Sequence, residues 1–216
     1  MGNGNRGNTM IIKNGLVFTP EGKFEKKDLY VEGEYVAKET TDNKEVEAEG
    51  CYVIPGLVDI HFHGCVRHDM CDGTEESIQA LADYEAANGV LAICPATMTI
   101  PEEELFQAMK AAKEHKNGKG ADLVGINMEG PFINKEKKGA QKEEDIKLAD
   151  IELFHKLQEA AGGLIKLVDL APETEGAMDF IDQVKDEVHV SIAHTMADYD
   201  TCLLYTSPSP RDISGS

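Results

Sequence analysis

The chain has no apolar run of about 18 residues, the length a helix needs to cross a bilayer. It also lacks a signal sequence, with its basic start and apolar centre, so a soluble cytoplasmic protein is expected. Positive charge is scarce: 21 basic side chains stand against 40 acidic ones, a net charge of −19. A surface of that sign repels nucleic acid and anionic membranes, which removes both from the expected partners. A small anionic substrate is still compatible, because a few local donors outweigh a field screened over about 8–10 Å. Cysteine is present but unorganised. Cys51, Cys65, Cys71, Cys94 and Cys202 are odd in number and follow no paired zinc spacing, so reduced, buried thiols are expected. No glycine-rich loop follows the first buried strand, which argues against a doubly wound nucleotide-binding sheet.

The 216 residues suit one large domain or part of an α/β barrel, for which ~250 is typical. Residues 1–9 are polar and glycine-rich and read as a disordered leader, with Met10 the expected start. Residues 10–52 carry short apolar runs, among them Leu16-Val17-Phe18 and Leu29-Tyr30-Val31. Turn signals at Asn14-Gly15, Pro20-Glu21-Gly22 and Glu32-Gly33 separate them, which predicts a small antiparallel β layer with too few strands to close a core.

Residues 53–200 change rhythm. Strands are expected at Leu57–His61, Val90–Pro95, Leu123–Glu129, Leu164–Ala171 and Val188–His194. The helices between them have good boundary signals: Thr74 before Glu75 and Glu76, Pro101 before three glutamates, and Asp150 before Leu153, Phe154 and Leu157. A fourth helix is expected around Met178, Ile181 and Val184. Strands alternating with helices imply an α/β protein with parallel β/α units. His61, Thr97, Glu129, Glu173 and His194 all fall at or just beyond the carboxyl ends of strands. That favours five units of a partial (β/α)8 barrel, whose active sites form at that mouth. Residues 201–216 have neither period and read as a non-native tail, so the expected chain is a barrel short of three units.

His61 and His63 are the most informative pair. Alternate residues on a strand share a face, so two imidazoles at i and i+2 can reach one ion. Glu129 and His194, ending two further strands, would face the same mouth, and a carboxylate with three imidazoles can hold one or two divalent ions beside a water. Taken singly, each of these residues is as readily a cap or a rim residue; their coincidence at successive strand ends favours ligation. The run Lys135, Lys137 and Lys138 reads more readily as a solvated loop face than as a phosphate site. A thiolate role for Cys65 or Cys71 is not expected.

Four stretches carry a resemblance to a known family: Ile11-Ile12-Lys13-Asn14-Gly15; Pro55-Gly56-Leu57-Val58-Asp59-Ile60-His61-Phe62-His63-Gly64; Glu129-Gly130-Pro131-Phe132 with Lys137-Lys138-Gly139-Ala140-Gln141; and Ala193-His194-Thr195. Over about residues 10–200 the chain resembles the N-acetylglucosamine-6-phosphate deacetylases of the amidohydrolase superfamily. The resemblance implies a metal-dependent hydrolase barrel preceded by a small β-sandwich segment, and hydrolysis of the N-acetyl group of N-acetylglucosamine 6-phosphate. It implies a divalent metal, zinc or iron, one or two per subunit, and a homodimer at full length. Glu129 and His194 match metal ligands, His61 and His63 match the second-metal pair of some members, and Ala140 and Gln141 match a substrate-binding loop position where other members have histidine in place of Gln141. The proton-transferring aspartate is implied on the last barrel strand and a further ligand histidine on the sixth. No catalytic residue is therefore assigned within the 216 residues, and the piece is expected to be inactive. Two rivals remain: another amidohydrolase acting on cyclic or N-acyl amides, and a non-catalytic metal-binding half-barrel.

Overall fold

A computed structural model describes residues 9–40 and 44–203; the leader, but for Thr9, and the tail from residue 204 lie outside the described residues. The chain divides into two compact units, Met1–Gly56 and Leu57–Ser216.

The first unit is one five-stranded sheet. Strands β1 (Met10–Phe18), β2 (Phe24–Glu32) and β3 (Tyr35–Ala37) form an antiparallel meander. Strands β4 (Glu45–Glu47) and β5 (Tyr52–Val53) pair with the other edge of β1 in parallel. The sheet is therefore mixed rather than antiparallel, because β4 and β5 run in the direction of β1 where they join its free edge. Asn14-Gly15 is not a turn. It lies inside β1 at a register shift between Ile12 and Gly15, with Asn14 at φ 60° and its N–H donated to Asp28 Oδ1 at 2.9 Å. A bulge of this kind re-aims the strand without ending it.

The second unit begins with β6 (Leu57–Asp59) and a small hairpin of β7 (Gly64–Cys65) and β8 (His68–Asp69). It continues with α1 (Glu75–Ala87), β9 (Val90–Ile93), α2 (Glu102–Glu114), β10 (Asp122–Leu123), β11 (Ile126–Glu129), α3 (Ile151–Ala160), β12 (Ile165–Leu170), α4 (Ala177–Val184), β13 (His189–Ile192) and α5 (Tyr199–Leu203). Two parallel sheets, ordered β10-β9-β6 and β11-β12-β13, are linked by a parallel bridge between Ala96 and Asn127. The predicted strand at Leu123–Glu129 is thus two short ones. Leu123 pairs with β9, whereas Ile126–Glu129 pairs with β12. Gly125 lies where the chain passes between them, and a Cβ there would sit 2.5 Å from Lys166 Cγ and 2.8 Å from Cys94 Sγ.

The helices follow their boundary signals. Thr74 accepts a hydrogen bond from Ser77 N, and α1 buries Ile78, Leu81 and Ala82, the face that the spacing predicts. α2 buries Leu105, Met109 and Ala112, and α3 buries Leu153, Phe154 and Leu157. These side chains join the strand residues Ile93, Ile126, Met128, Ile165 and Val168 in one core. α5 corrects the expectation that regular structure stops near residue 200. Asp198 Oδ1 accepts from Thr201 N at 2.8 Å and starts a little over one helical turn.

Asp150 caps α3 with hydrogen bonds from Glu152 N (2.9 Å) and Leu153 N (3.0 Å). Asp150→Ala should lower unfolding stability by about 1 kcal/mol, while Asp150→Asn should retain most of it. Urea titrations followed by far-UV circular dichroism check this, and equal losses in the two variants would contradict the capping role.

Candidate metal centre

The candidate site lies at the carboxyl ends of β6, β11 and β13. β6 stops at Asp59, so His61 and His63 do not share a strand face; they lie in the segment beyond it. Local bonds hold that segment: Asp59 Oδ1 accepts from His61 N (3.0 Å), Phe62 O from Ala96 N (2.7 Å), and His63 O from Met70 N (3.0 Å). The two rings still end 5.4 Å apart, nearly perpendicular.

Glu129 is the last residue of β11 and is 4 % exposed. Gly130 follows at φ 74°, and a Cβ there would overlap Thr99 Oγ1, so only glycine lets the chain leave the strand this close to the β9–α2 loop. His61 Nε2 and His63 Nε2 lie 3.1 and 3.2 Å from Glu129 Oε2. The three ligand atoms of this group are all within 4.8 Å of one another, a separation that one metal ion can span. The other oxygen, Oε1, faces His194 Nε2 at 2.7 Å and accepts from Gln141 Nε2 at 2.6 Å.

His194 carries a second indication of a cation. Its backbone has φ 49°, and its Nδ1 lies 2.8 Å from the carbonyl oxygen of Lys137. A carbonyl only accepts, so Nδ1 bears a proton, and Nε2 faces a carboxylate oxygen either as the second N–H of an imidazolium or with a lone pair. That contact is attractive only when a proton or a metal ion sits on Nε2. The donor set, two imidazoles on one carboxylate oxygen and a tautomer-fixed third on the other, therefore fits a divalent ion.

The electrostatics agree. Burial raises the pKa of Glu129, but hydrogen bonds with His63 and His194 more than offset it and hold the carboxyl at about 2. Its hydrogen bond to Glu129 pushes His63 above the ordinary imidazole value. Burial pushes Cys71 up to about 12 and also raises Cys65, which keeps both thiols protonated.

All six residues singled out from the sequence come together. His61, His63, Glu129, Ala140, Gln141 and His194 line one cavity of about 460 Å³ with Met98 and Ala193. Gln141 occupies this wall in an unforeseen way. It is 2 % exposed, its Oε1 accepts from Thr99 N at 2.6 Å, and its Nε2 is committed to Glu129. Lys135 and Lys137 are solvent-exposed, and Lys138 Nζ donates to Gln141 O at 3.3 Å, anchoring the loop. Glu173 accepts from Asn134 Nδ2 and Met196 N, both at 2.7 Å, and from the Thr195 hydroxyl, so it ties down the loop bearing His194. Asn127 and Asp169 were missed by the sequence reading. The available signal was a polar residue in each of the apolar runs Ile126-Asn127-Met128 and Val168-Asp169-Leu170.

Fold and site together define a parallel β/α chain with a metal-capable carboxylate and imidazole cluster at its strand ends. No protein-family profile matches the chain. It is 35% identical over 195 residues to the N-acetylglucosamine-6-phosphate deacetylase of Bacillus subtilis (strain 168), covering 87% of this chain and 48% of that protein. The enzyme of the same name from Lysinibacillus sphaericus is 27% identical over 200 residues, covering 89% of this chain and 52% of the relative. Among solved structures, N-acetylglucosamine-6-phosphate deacetylase from Pasteurella multocida superposes with a TM-score of 0.79 at 22% identity, covering 91% of this chain and 53% of that one. The chain is thus a homologue of the N-acetylglucosamine-6-phosphate deacetylases, and it spans about half the length of the curated relatives it matches. Among the described residues no helix is long and apolar enough to cross a membrane.

Proposed function

We propose that this chain is the metal-binding portion of an amino-sugar-phosphate deacetylase, an enzyme that hydrolyses N-acetylglucosamine 6-phosphate to glucosamine 6-phosphate and acetate. β6, β9, β11, β12 and β13 would be the first five strands of a (β/α)8 barrel, and the sheet of residues 10–52 part of a β-sandwich. The convergence of His61, His63 and His194 on the two oxygens of Glu129, in one cavity with Ala140 and Gln141, carries the reading. These four residues would hold zinc or iron, one or two ions per subunit, because imidazole and carboxylate suit both metals. When bound by these residues, such an ion would supply Lewis acidity, bringing the pKa of a bound water from 15.7 towards about 7 and polarising the acetamide carbonyl.

The chain's own residues would hold and orient the ligands. The hydrogen bonds from His194 Nδ1 to Lys137 O, from Thr99 N to Gln141 Oε1 and from Gln141 Nε2 to Glu129 Oε1 hold His194 and Glu129 in place before an ion binds. Ala140 lines the same cavity and would contact the sugar there. Proton transfer to the leaving amine is assigned, by resemblance, to an aspartate on a later strand than any of these five.

The reading is tested by metal titration of the 216-residue chain followed by ligand-observed NMR. Zinc should bind, and N-acetylglucosamine 6-phosphate should contact the metal-loaded chain in preference to hydantoins and N-acetyl amino acids. Preference for a cyclic or N-acyl amide would favour the wider amidohydrolase reading, and failure to bind zinc would overturn the assignment. Acetate release should stay at background; appreciable turnover would overturn the placement of the proton-transferring aspartate.

A further inference from the structure

Behind the ligands, β12 carries a carboxylate that the metal-binding reading leaves without a task. Asp169 pairs in register with Glu129 on β11 and with Ser191 on β13, so its side chain points to the same face of the sheet as Glu129. It is 2 % exposed, its Oδ1 is buried without a hydrogen-bond partner, and its Oδ2 lies 3.6 Å from His61 Nδ1. A buried carboxylate is costly, the Ser191 hydroxyl offsets only part of that cost, and a cationic partner would stabilise it further.

His61 has a corresponding need. Its Nδ1 is 3.0 Å from Asn127 Nδ2, and that amide also donates to Ile60 O at 3.2 Å. With the amide so placed, Nδ1 accepts, and the ring proton resides on Nε2, facing Glu129 Oε2. In that tautomer Nε2, the nitrogen that faces Glu129, has no lone pair for a metal; the lone pair is on Nδ1, engaged by Asn127. Ligation through Nε2 requires the proton to move to Nδ1, where it must find an acceptor. Asn127 Oδ1, also buried and unpartnered, could serve only if the amide turned over and gave up Ile60 O. Asp169 Oδ2 needs only a small tilt of the imidazole, and a charged oxygen is the stronger acceptor.

We propose that Asp169 is the positioning residue for His61: it accepts the Nδ1 proton in the metal-bound state and so fixes the tautomer that binds through Nε2. The proposal rests on the metal-binding reading above. With Asp169 ionised, the proton relocates from Nε2 to Nδ1 of the same ring, and no net proton is gained or lost at the pair. The negative charge also compensates part of the charge the ion brings into a buried site. Carboxylate partners of ligating histidines typically change metal affinity by about 10–100-fold when removed.

The test compares the 216-residue chain with Asp169→Asn, which keeps the shape and removes the charge. Zinc affinity, measured by competition with a chromophoric chelator, should fall about 10–100-fold in the variant. The melting temperature of the metal-free variant should stay equal or rise, since an incompletely paired buried carboxylate has gone. A purely structural Asp169 predicts the opposite: a lower melting temperature with unchanged affinity. As a check independent of any variant, long-range proton–nitrogen NMR of the zinc-loaded wild-type chain should place the His61 proton on Nδ1 with the downfield shift of a hydrogen bond to carboxylate. Unchanged zinc affinity in Asp169→Asn, or a His61 proton on Nε2, overturns the proposal. Failure of the wild-type chain to bind zinc at all overturns the metal-binding reading instead, so the two failures are distinguishable.

Discussion

Glutamine in place of Glu129 is expected to weaken zinc binding by at least about 100-fold, more than loss of an outer partner costs. Both carboxylate oxygens are committed: Oε2 receives His61 and His63, and Oε1 receives His194 and Gln141. Glutamine would turn an amide nitrogen toward either the histidine pair or Gln141, setting donor against donor, and would remove the one negative charge at the centre. Chelator competition measures the loss, and retention of wild-type affinity would show that Glu129 is not the central ligand. The same substitution should change acid stability in the metal-free protein. The folded pKa of about 2 lies below the ordinary carboxylate value of 4.5, so ionised Glu129 contributes stability that is present above about pH 4.5 and is lost as pH falls towards 2. Urea midpoints across that window should fall more steeply with acid in the wild type than in Glu129→Gln.

Phe180→Ala is expected to destabilise the second unit by about 3–5 kcal/mol. Phe180 is 2 % exposed and stands edge-on between two other rings, 5.2 Å from Phe132 and 5.6 Å from Phe154. It therefore joins α4 to α3 and to the segment that follows Glu129-Gly130-Pro131. Truncation leaves a cavity shared by three elements and removes two aromatic contacts, each worth about 0.5–1.5 kcal/mol beyond area burial. Phe132 O accepts from Ala171 N at 2.9 Å, so loosening Phe132 also releases the turn after β12. Zinc affinity should fall much less than in Glu129→Gln, because Phe180 is not one of the four candidate ligands. Denaturant unfolding gives the stability change, and a loss below about 1 kcal/mol would mean that neighbouring side chains collapse into the space.

The strand and helix rhythm of residues 57–192 was legible because it rests on local physics. Thr74 and Asp150 cap where their side chains reach free N–H groups, and the apolar faces of α1 to α3 follow helical spacing. Boundaries shifted where pairing partners decide them. Asn14-Gly15 has the composition of a turn, yet β2 and Asp28 hold it as a bulge within β1. Leu123–Glu129 reads as one apolar strand but divides because its two ends pair with different neighbours.

The sequence by itself determined the residue types of the site and their positions at strand ends: the His61 and His63 pair, Glu129 before glycine, and His194 after an apolar run. Charge and composition determined the exclusion of nucleic acid as an expected partner. Only the tertiary structure decided how those residues face one another. It brought Glu129 between the histidines, turned Gln141 from an open loop residue into a bridge between Thr99 and Glu129, and placed Asp169 and Asn127 behind His61. The reason is physical: caps and periodicity act over three or four residues, whereas these hydrogen bonds join residues 12 to more than 60 positions apart. They depend on the parallel register that aligns β11, β12 and β13.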